Sequence, residues 1–143
     1  MERLIQETFV PVRIKVREHP ELMERFGGLW TPTMLILDPN GKERHRIEGF
    51  LPARDFAAQL ILGLGHAAFA AGDFREAQRR FEQVLTEYSE IDAAAEAQYW
   101  KGVARYKETN DPTALQETHQ AFQTRYGDTP WAKKASVWGP TAA

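Results

Sequence analysis

The sequence predicts an α/β unit followed by an all-α unit, and three observations carry this prediction. Residues 9–16 alternate apolar and polar side chains, which is the period-two pattern of a strand. Residues 34–37 are continuously apolar and precede a turn sequence and a second, more polar strand. From residue 63 onward, apolar residues recur at helical spacing in two similar copies. The expected order is βαββα for the first unit, followed by antiparallel helical repeats.

Each element before the first turn has a local signal. Residues 2–8 are expected to end a helix, since two adjacent apolar residues lie among charged and polar neighbours. Pro20 occupies the first position of a short helix, and Gly27-Gly28 ends it. The predicted strand before this helix places four β-branched residues on one face: Val10, Val12, Ile14 and Val16.

A hairpin and a long helix are expected next. Residues 38–41 read Asp-Pro-Asn-Gly, with proline at the second turn position and a glycine that can take positive φ. The returning strand spans residues 43–48 and stops at Gly49, and its polar character indicates an edge. Pro52 then begins a helix whose apolar residues, Phe56, Leu60 and either Ile61 or Leu64, follow helical spacing.

Composition limits the classes of partner and cofactor. The 143 residues carry a net charge of −2, and neither half has a basic excess, which disfavours nucleic acid and anionic membranes as partners. No apolar run approaches the roughly 20 residues of a membrane span, and the first residues lack a signal-peptide core. We therefore expect a cytoplasmic location. The absence of cysteine excludes disulfides, Fe–S clusters and cysteine-zinc sites, and no cofactor is expected.

The residues from Leu29 to Gly41 resemble the cis-proline hairpin of the thioredoxin superfamily, because a Thr-Pro pair directly precedes an apolar strand and a tight turn. In that family the loop lies beside a Cys-x-x-Cys pair and holds the substrate backbone. The resemblance implies that Pro32 is cis and that Trp30, Thr31 and Pro32 dock a peptide. It implies no catalytic residue here, since disulfide exchange requires a thiolate and the chain has no cysteine.

The resemblance also implies a missing neighbour. In the thioredoxin fold, the strand that precedes the Cys-x-x-Cys helix lies between the counterparts of residues 9–16 and 34–37, and this chain begins after it. Without that strand, backbone N–H and C=O groups on both sides lack hydrogen-bond partners, and burying them unpaired is costly. Three arrangements would supply the partners. The two strands pair directly, a second chain supplies a strand, or the protein extends upstream of Met1. We favour the last outcome.

The second half resembles tetratricopeptide repeats. Its first copy has a Leu64-Gly65 pair, a Gly72-Asp73-Phe74 turn and a stripe containing Ala77 and Phe81. A looser copy follows, with its turn at residues 110–112, and Pro130 begins a capping helix; its matching positions are Trp100, Gly102, Tyr106, Ala114, Ala121, Phe122 and Tyr126. The predicted domains are residues 1–62, thioredoxin-like, residues 63–138, helical repeats with the cap, and a flexible tail at residues 139–143.

The repeats offer candidate groove residues but no metal site. Tyr99, Arg105 and Lys107 fall off the apolar stripe of their helix and are predicted to face a peptide-binding groove. The four histidines show no spacing typical of metal ligands, so no metal is expected.

We therefore predict a redox-inactive, bacterial-type protein of thioredoxin fold and tetratricopeptide repeats that binds protein or peptide partners. A homodimer through the open sheet edge is a further expectation. One alternative is the C-terminal part of a thiol-disulfide oxidoreductase whose Cys-x-x-Cys lies upstream. A third possibility is a purely structural or assembly role.

Overall fold

The computed structural model describes residues 1–140; most of the predicted tail, residues 141–143, lies outside the described residues. Ten elements follow one another along the chain. They are α1 (Glu2–Thr8), α2 (Pro20–Arg25), β1 (Thr33–Leu37), β2 (Glu43–Glu48), α3 (Ala53–Ala70), α4 (Phe74–Glu87), α5 (Ala93–Thr109), α6 (Thr113–Thr124), α7 (Pro130–Ala135) and a 3-10 turn (Ser136–Trp138).

The two strands form an antiparallel hairpin, as the turn sequence predicted. Thr33 pairs with Glu48, and the register shifts at a bulge between Ile36 and Leu37. The Asp38 carboxylate closes the turn by accepting backbone hydrogen bonds from Asn40 at 2.9 Å and Lys42 at 3.0 Å. These bonds, led by the one from Lys42, hold the pKa of Asp38 below its usual value.

The predicted strand at residues 9–16 is wrong. Residues 9–15 have no regular secondary structure, and Val10 and Val12 are exposed. The hairpin is the sheet of the described residues, so residues 9–16 do not pair with residues 34–37. An apolar alternation makes a strand only where a neighbour accepts its hydrogen bonds, and residues 1–140 supply none there. The first unit therefore runs ααββα and not βαββα.

Helix α3 belongs to both parts of the molecule. One face packs on the hairpin and another on α4, and the helix runs without a break through the predicted boundary at residues 62 and 63. Gly63 allows the close approach to the hairpin, because a Cβ there would lie 2.1 Å from Ile36 Cδ1. Among the described residues, α3 is the helix whose backbone packs closely on the hairpin.

Helices α3 to α6 pack as successive neighbours in an antiparallel array. The Asp73 side chain caps α4 by accepting a hydrogen bond from the backbone N–H of Glu76 at 3.1 Å. Gly65 lies against Phe81, where an added Cβ would come within 2.4 Å of the ring. The main core lies between α3, α4 and α5 and consists of small and apolar residues: Ala58, Ile61, Leu62, Ala77, Phe81, Val84, Ala93, Ala94, Ala97 and Ala104.

A smaller aromatic cluster closes the end of the array. Phe122 and Ala135 are buried there, and Trp131 and Trp138 of the last turns pack against them. The Tyr126 hydroxyl donates a 2.6 Å hydrogen bond to the carbonyl of Ser89, which joins α6 to the turn before α5. Among the helices of residues 1–140, none combines the length and the apolar character that crossing a bilayer requires.

Candidate functional site

The Thr31–Pro32 loop is held at both of its ends by hydrogen bonds. Its peptide bond is cis. The carbonyl of Pro32 accepts a 2.7 Å hydrogen bond from the N–H of Gly49, the residue that follows β2. The Thr33 hydroxyl donates a 2.5 Å hydrogen bond to the carbonyl of Trp30. The loop therefore has a defined shape while its apolar side chains stay outside the hairpin.

Three large apolar side chains extend into solvent at this end of the hairpin. Leu29 is 83% exposed, Trp30 is 67% exposed and Phe50 is 82% exposed. We call these three residues the docking patch. Phe50 directly follows Gly49, so the bond from Gly49 to Pro32 brings Phe50 to the end of the hairpin where the loop lies. Large apolar side chains clustered in solvent are typical of interaction surfaces.

The sequence predicts Trp30, Thr31 and Pro32 at this loop and does not predict Leu29 and Phe50. The signal for Phe50 was available, since an aromatic residue follows the glycine that ends a polar strand. A residue at that position lies beyond the end of the strand, so its side chain does not pack on either face of the hairpin. Leu29 carried no signal of its own, because an isolated leucine after two glycines is equally typical of a core.

The outer edge of β1 lies beside this patch. β1 pairs with β2 along one edge, and no strand among residues 1–140 pairs with the other edge. An unpaired edge presents alternate backbone N–H and C=O groups to an incoming strand. An extended peptide needs backbone hydrogen bonds and side-chain contacts. The outer edge of β1 offers the hydrogen bonds, and the docking patch offers the apolar contacts.

Arg46 fixes the segment that leads into the patch. Its guanidinium donates hydrogen bonds to the carbonyls of Phe26 and Gly27, which end α2, and to the carboxylates of Glu43 and Glu48 on its own strand. The hydrogen bond from Arg46 holds the pKa of Glu43 below its usual value. These contacts join the end of α2 to the hairpin, and they therefore fix the position of Leu29, which follows Gly27 two residues later.

The structure separates the three residues predicted for a groove on the repeats. Tyr99 stacks on Trp138 with ring centroids 4.9 Å apart and also contacts Trp131, so its ring packs the end of the array. Arg105 pairs with Glu117 of α6, and Lys107 is exposed. No contact brings the three together within the described part of the chain, and their role in binding stays a prediction.

A polar groove does lie along α4 and α5, lined by other residues. Lys101 contacts Glu82 at 2.6 Å, and Glu108 accepts hydrogen bonds from Gln78 at 2.6 Å and Arg75 at 3.3 Å. Acidic and basic groups here neutralise one another, so the groove has no strong charge preference. Solvent-exposed pairs of this kind contribute little to stability.

Within residues 1–140 no group of three or more histidine or acidic side chains is arranged to hold a metal ion. The candidate site consists of the unpaired outer edge of β1 and the docking patch, and an arrangement of this kind can bind a peptide chain.

Comparison with protein families agrees with this architecture. Residues 2–62 match a thioredoxin-like domain, and residues 62–127 match a tetratricopeptide repeat. The two matches meet inside α3, the helix that serves both units. Searches of curated proteins and of solved structures found no match. The chain carries a thioredoxin-like unit followed by a tetratricopeptide-repeat unit, as its motifs predicted.

Proposed function

We propose that this chain, a thioredoxin-like unit joined to a tetratricopeptide-repeat unit, binds protein partners as extended peptides and performs no thiol chemistry. The observation that carries the proposal is the exposed docking patch beside the pinned Thr31–Pro32 loop. A thioredoxin-like unit without cysteine keeps the surface that holds a peptide backbone and lacks the nucleophile for exchange. Tetratricopeptide repeats support the same conclusion, since such arrays serve as binding surfaces.

The partner is an extended segment with apolar side chains. A strand added to the outer edge of β1 would gain backbone hydrogen bonds, and a side chain near the Thr31–Pro32 loop would meet Trp30. The docking patch consists of three apolar side chains, so its recognition of a partner depends on apolar contact and shape. Tryptophan is enriched among the side chains that dominate binding energy at protein interfaces.

A peptide library displayed on phage and selected on the immobilised protein supplies a probe, and the affinity of an enriched peptide is then measured by calorimetry. We expect Trp30→Ala to weaken binding about 30-fold, since a dominant aromatic contact is worth about 2 kcal/mol. Val137→Ser is the matched control, because Val137 is an exposed apolar residue at the opposite end of the chain. Equal affinity for the Trp30→Ala variant and the wild type would refute the docking patch.

A second candidate is the C-terminal part of a thiol-disulfide oxidoreductase. It is favoured by one observation: residues 9–15 and the outer edge of β1 both lack a strand neighbour among the described residues. In the thioredoxin fold the strand between them leads into the Cys-x-x-Cys helix. The reading frame upstream of the Met1 codon separates the two candidates, since a Trp-Cys-x-x-Cys encoded there favours the oxidoreductase.

A further inference from the structure

Two histidines meet where the hairpin packs on α3. His45 lies on β2, and its Nε2 is 2.7 Å from Gln59 Oε1 of α3. The amide oxygen is an acceptor, so His45 carries hydrogen on Nε2 and donates this bond. His66 of α3 places its ring centroid 5.4 Å from that of His45, with the ring planes 32° apart. The two imidazoles therefore form part of the contact that joins hairpin and helix.

The surroundings of the pair are mostly apolar. Phe81 and Trp100 approach the His66 ring edge to face, with centroids at 5.4 Å and 5.6 Å. Ile36 of β1 pairs with His45 across the hairpin. Gly63 brings the backbone of α3 so close that an added Cβ would lie 3.1 Å from His45 Cδ2. Both rings are partly buried by packing on several sides, which reduces the solvent available to stabilise a charge.

The carboxylate of Glu96 is the acidic group that acts on both rings. Glu96 of α5 has its Oε1 3.7 Å from His66 Nε2. Glu43 is the other acidic group near His45, and it is already paired with Arg46. Glu96 can balance one imidazolium, and a second positive charge would face the first across 5.4 Å.

Burial is the main cause that lowers the pKa of His45 below its ordinary value of 6.5, and His66 lowers it further. The hydrogen bond to Gln59 and the charges of Glu96 and Glu43 act in the opposite direction. The folded hairpin thus binds a proton at His45 more weakly than the unfolded chain does. This contribution to stability is present above pH 6.5 and is lost as the pH falls from 6.5 towards the lowered folded pKa.

We propose that His45 and His66 form a proton-sensitive contact that holds the hairpin on α3 at neutral pH and releases it as the pH falls. The release is local, because within residues 1–140 α3 is the helix whose backbone packs closely on the hairpin, and the bonds from Arg46 to the end of α2 stay within the first unit. The buried residues of the repeat core between α3, α4 and α5 are apolar, so we expect this core to keep its packing. Acidification therefore loosens the docking patch while the repeat unit stays folded. The proposal concerns the attachment of the hairpin and holds whatever the patch binds.

Hydrogen exchange of the whole chain tests the local release. We expect the protection factors of the β1 and β2 amides to fall several-fold between about pH 7.5 and pH 5.5, while those of α4 and α5 change little. His45→Phe keeps a ring of similar size and removes the titrating group, so this difference should disappear. His19→Gln is the matched control, because His19 is exposed in the turn before α2 and should leave the difference intact. Hairpin protection that is independent of pH in the wild type, or an unchanged difference in His45→Phe, overturns the proposal.

A side-chain titration by NMR tests the coupling and does not depend on the folding of His45→Phe. Replacing His66 by Phe removes the neighbouring charge, so the midpoint of the His45 titration should rise in the His66→Phe protein. An unmoved or lowered midpoint shows that His66 does not lower the proton affinity of His45 and overturns the proposed pair.

Discussion

Replacing Gly102 by leucine tests whether α5 and α6 pack as a repeat pair. A Cβ added to Gly102 would lie 1.9 Å from Thr118 Oγ1, 2.8 Å from its Cβ and 2.9 Å from its Cγ2. Thr118 is buried, and its hydroxyl is held by a 2.7 Å hydrogen bond to the carbonyl of Ala114. The β-branched side chain is short and stiff, so it cannot rotate out of the way and the helices must separate.

The magnitude follows from two opposing effects. Overpacking a closely packed contact costs about 1–3 kcal/mol. Removing glycine from a helix interior returns up to about 1 kcal/mol, because leucine is a better helix former. Leucine adds three carbons beyond the Cβ that already clashes, so we take the overpacking cost at the upper end, about 3 kcal/mol. After the gain in helix propensity, the expected net loss of stability is about 2 kcal/mol. For a chain of this length that corresponds to a melting temperature lower by about 4–8 °C.

Thermal unfolding followed by circular dichroism at 222 nm measures the effect. Lys107→Leu is the matched control, since Lys107 is exposed on the same helix and should leave the melting temperature nearly unchanged. Thr118→Ala removes two of the three clashing atoms, so the double variant should lose less stability than the sum of the two single variants. A Gly102→Leu protein with the same melting temperature as the wild type would contradict the close packing of α5 on α6.

Two further predictions concern association and chemistry. If the apolar residues 9–16 mediate self-association, light scattering should show a dimer that Val12→Lys dissociates. Val137→Lys should leave the dimer intact, because both valines are exposed but only Val12 lies in that segment. A dimer that persists in Val12→Lys would refute association through this segment. The chain as given should not accelerate insulin reduction by dithiothreitol above the uncatalysed rate, because it has no cysteine, and a catalysed rate would show that this reasoning is wrong.

Local chemistry by itself determined the elements whose signals are complete within a few residues. The Asp-Pro-Asn-Gly turn specifies the hairpin because Asp38 bonds to the backbone of the turn itself and Gly41 takes a φ of +80°. The cap of α4 likewise lies within one turn, from Asp73 to Glu76. The repeat pattern was readable for the same reason, since the small residues Gly65 and Gly102 each mark a close contact with one neighbouring helix.

Only the tertiary structure decided the features that depend on a distant partner. Residues 9–16 have the alternation of a strand, yet a strand exists only where a neighbour accepts its backbone bonds, and the described residues place none there. Tyr99 lies off the apolar stripe of α5, and Trp131 and Trp138 nevertheless cover it. His45 and His66 lie 21 positions apart with no motif between them, and the approach of α3 to the hairpin at Gly63 brings their rings together. Sequence patterns report what a residue prefers, and the burial, pairing and charge that give it a role come from segments that the pattern does not contain.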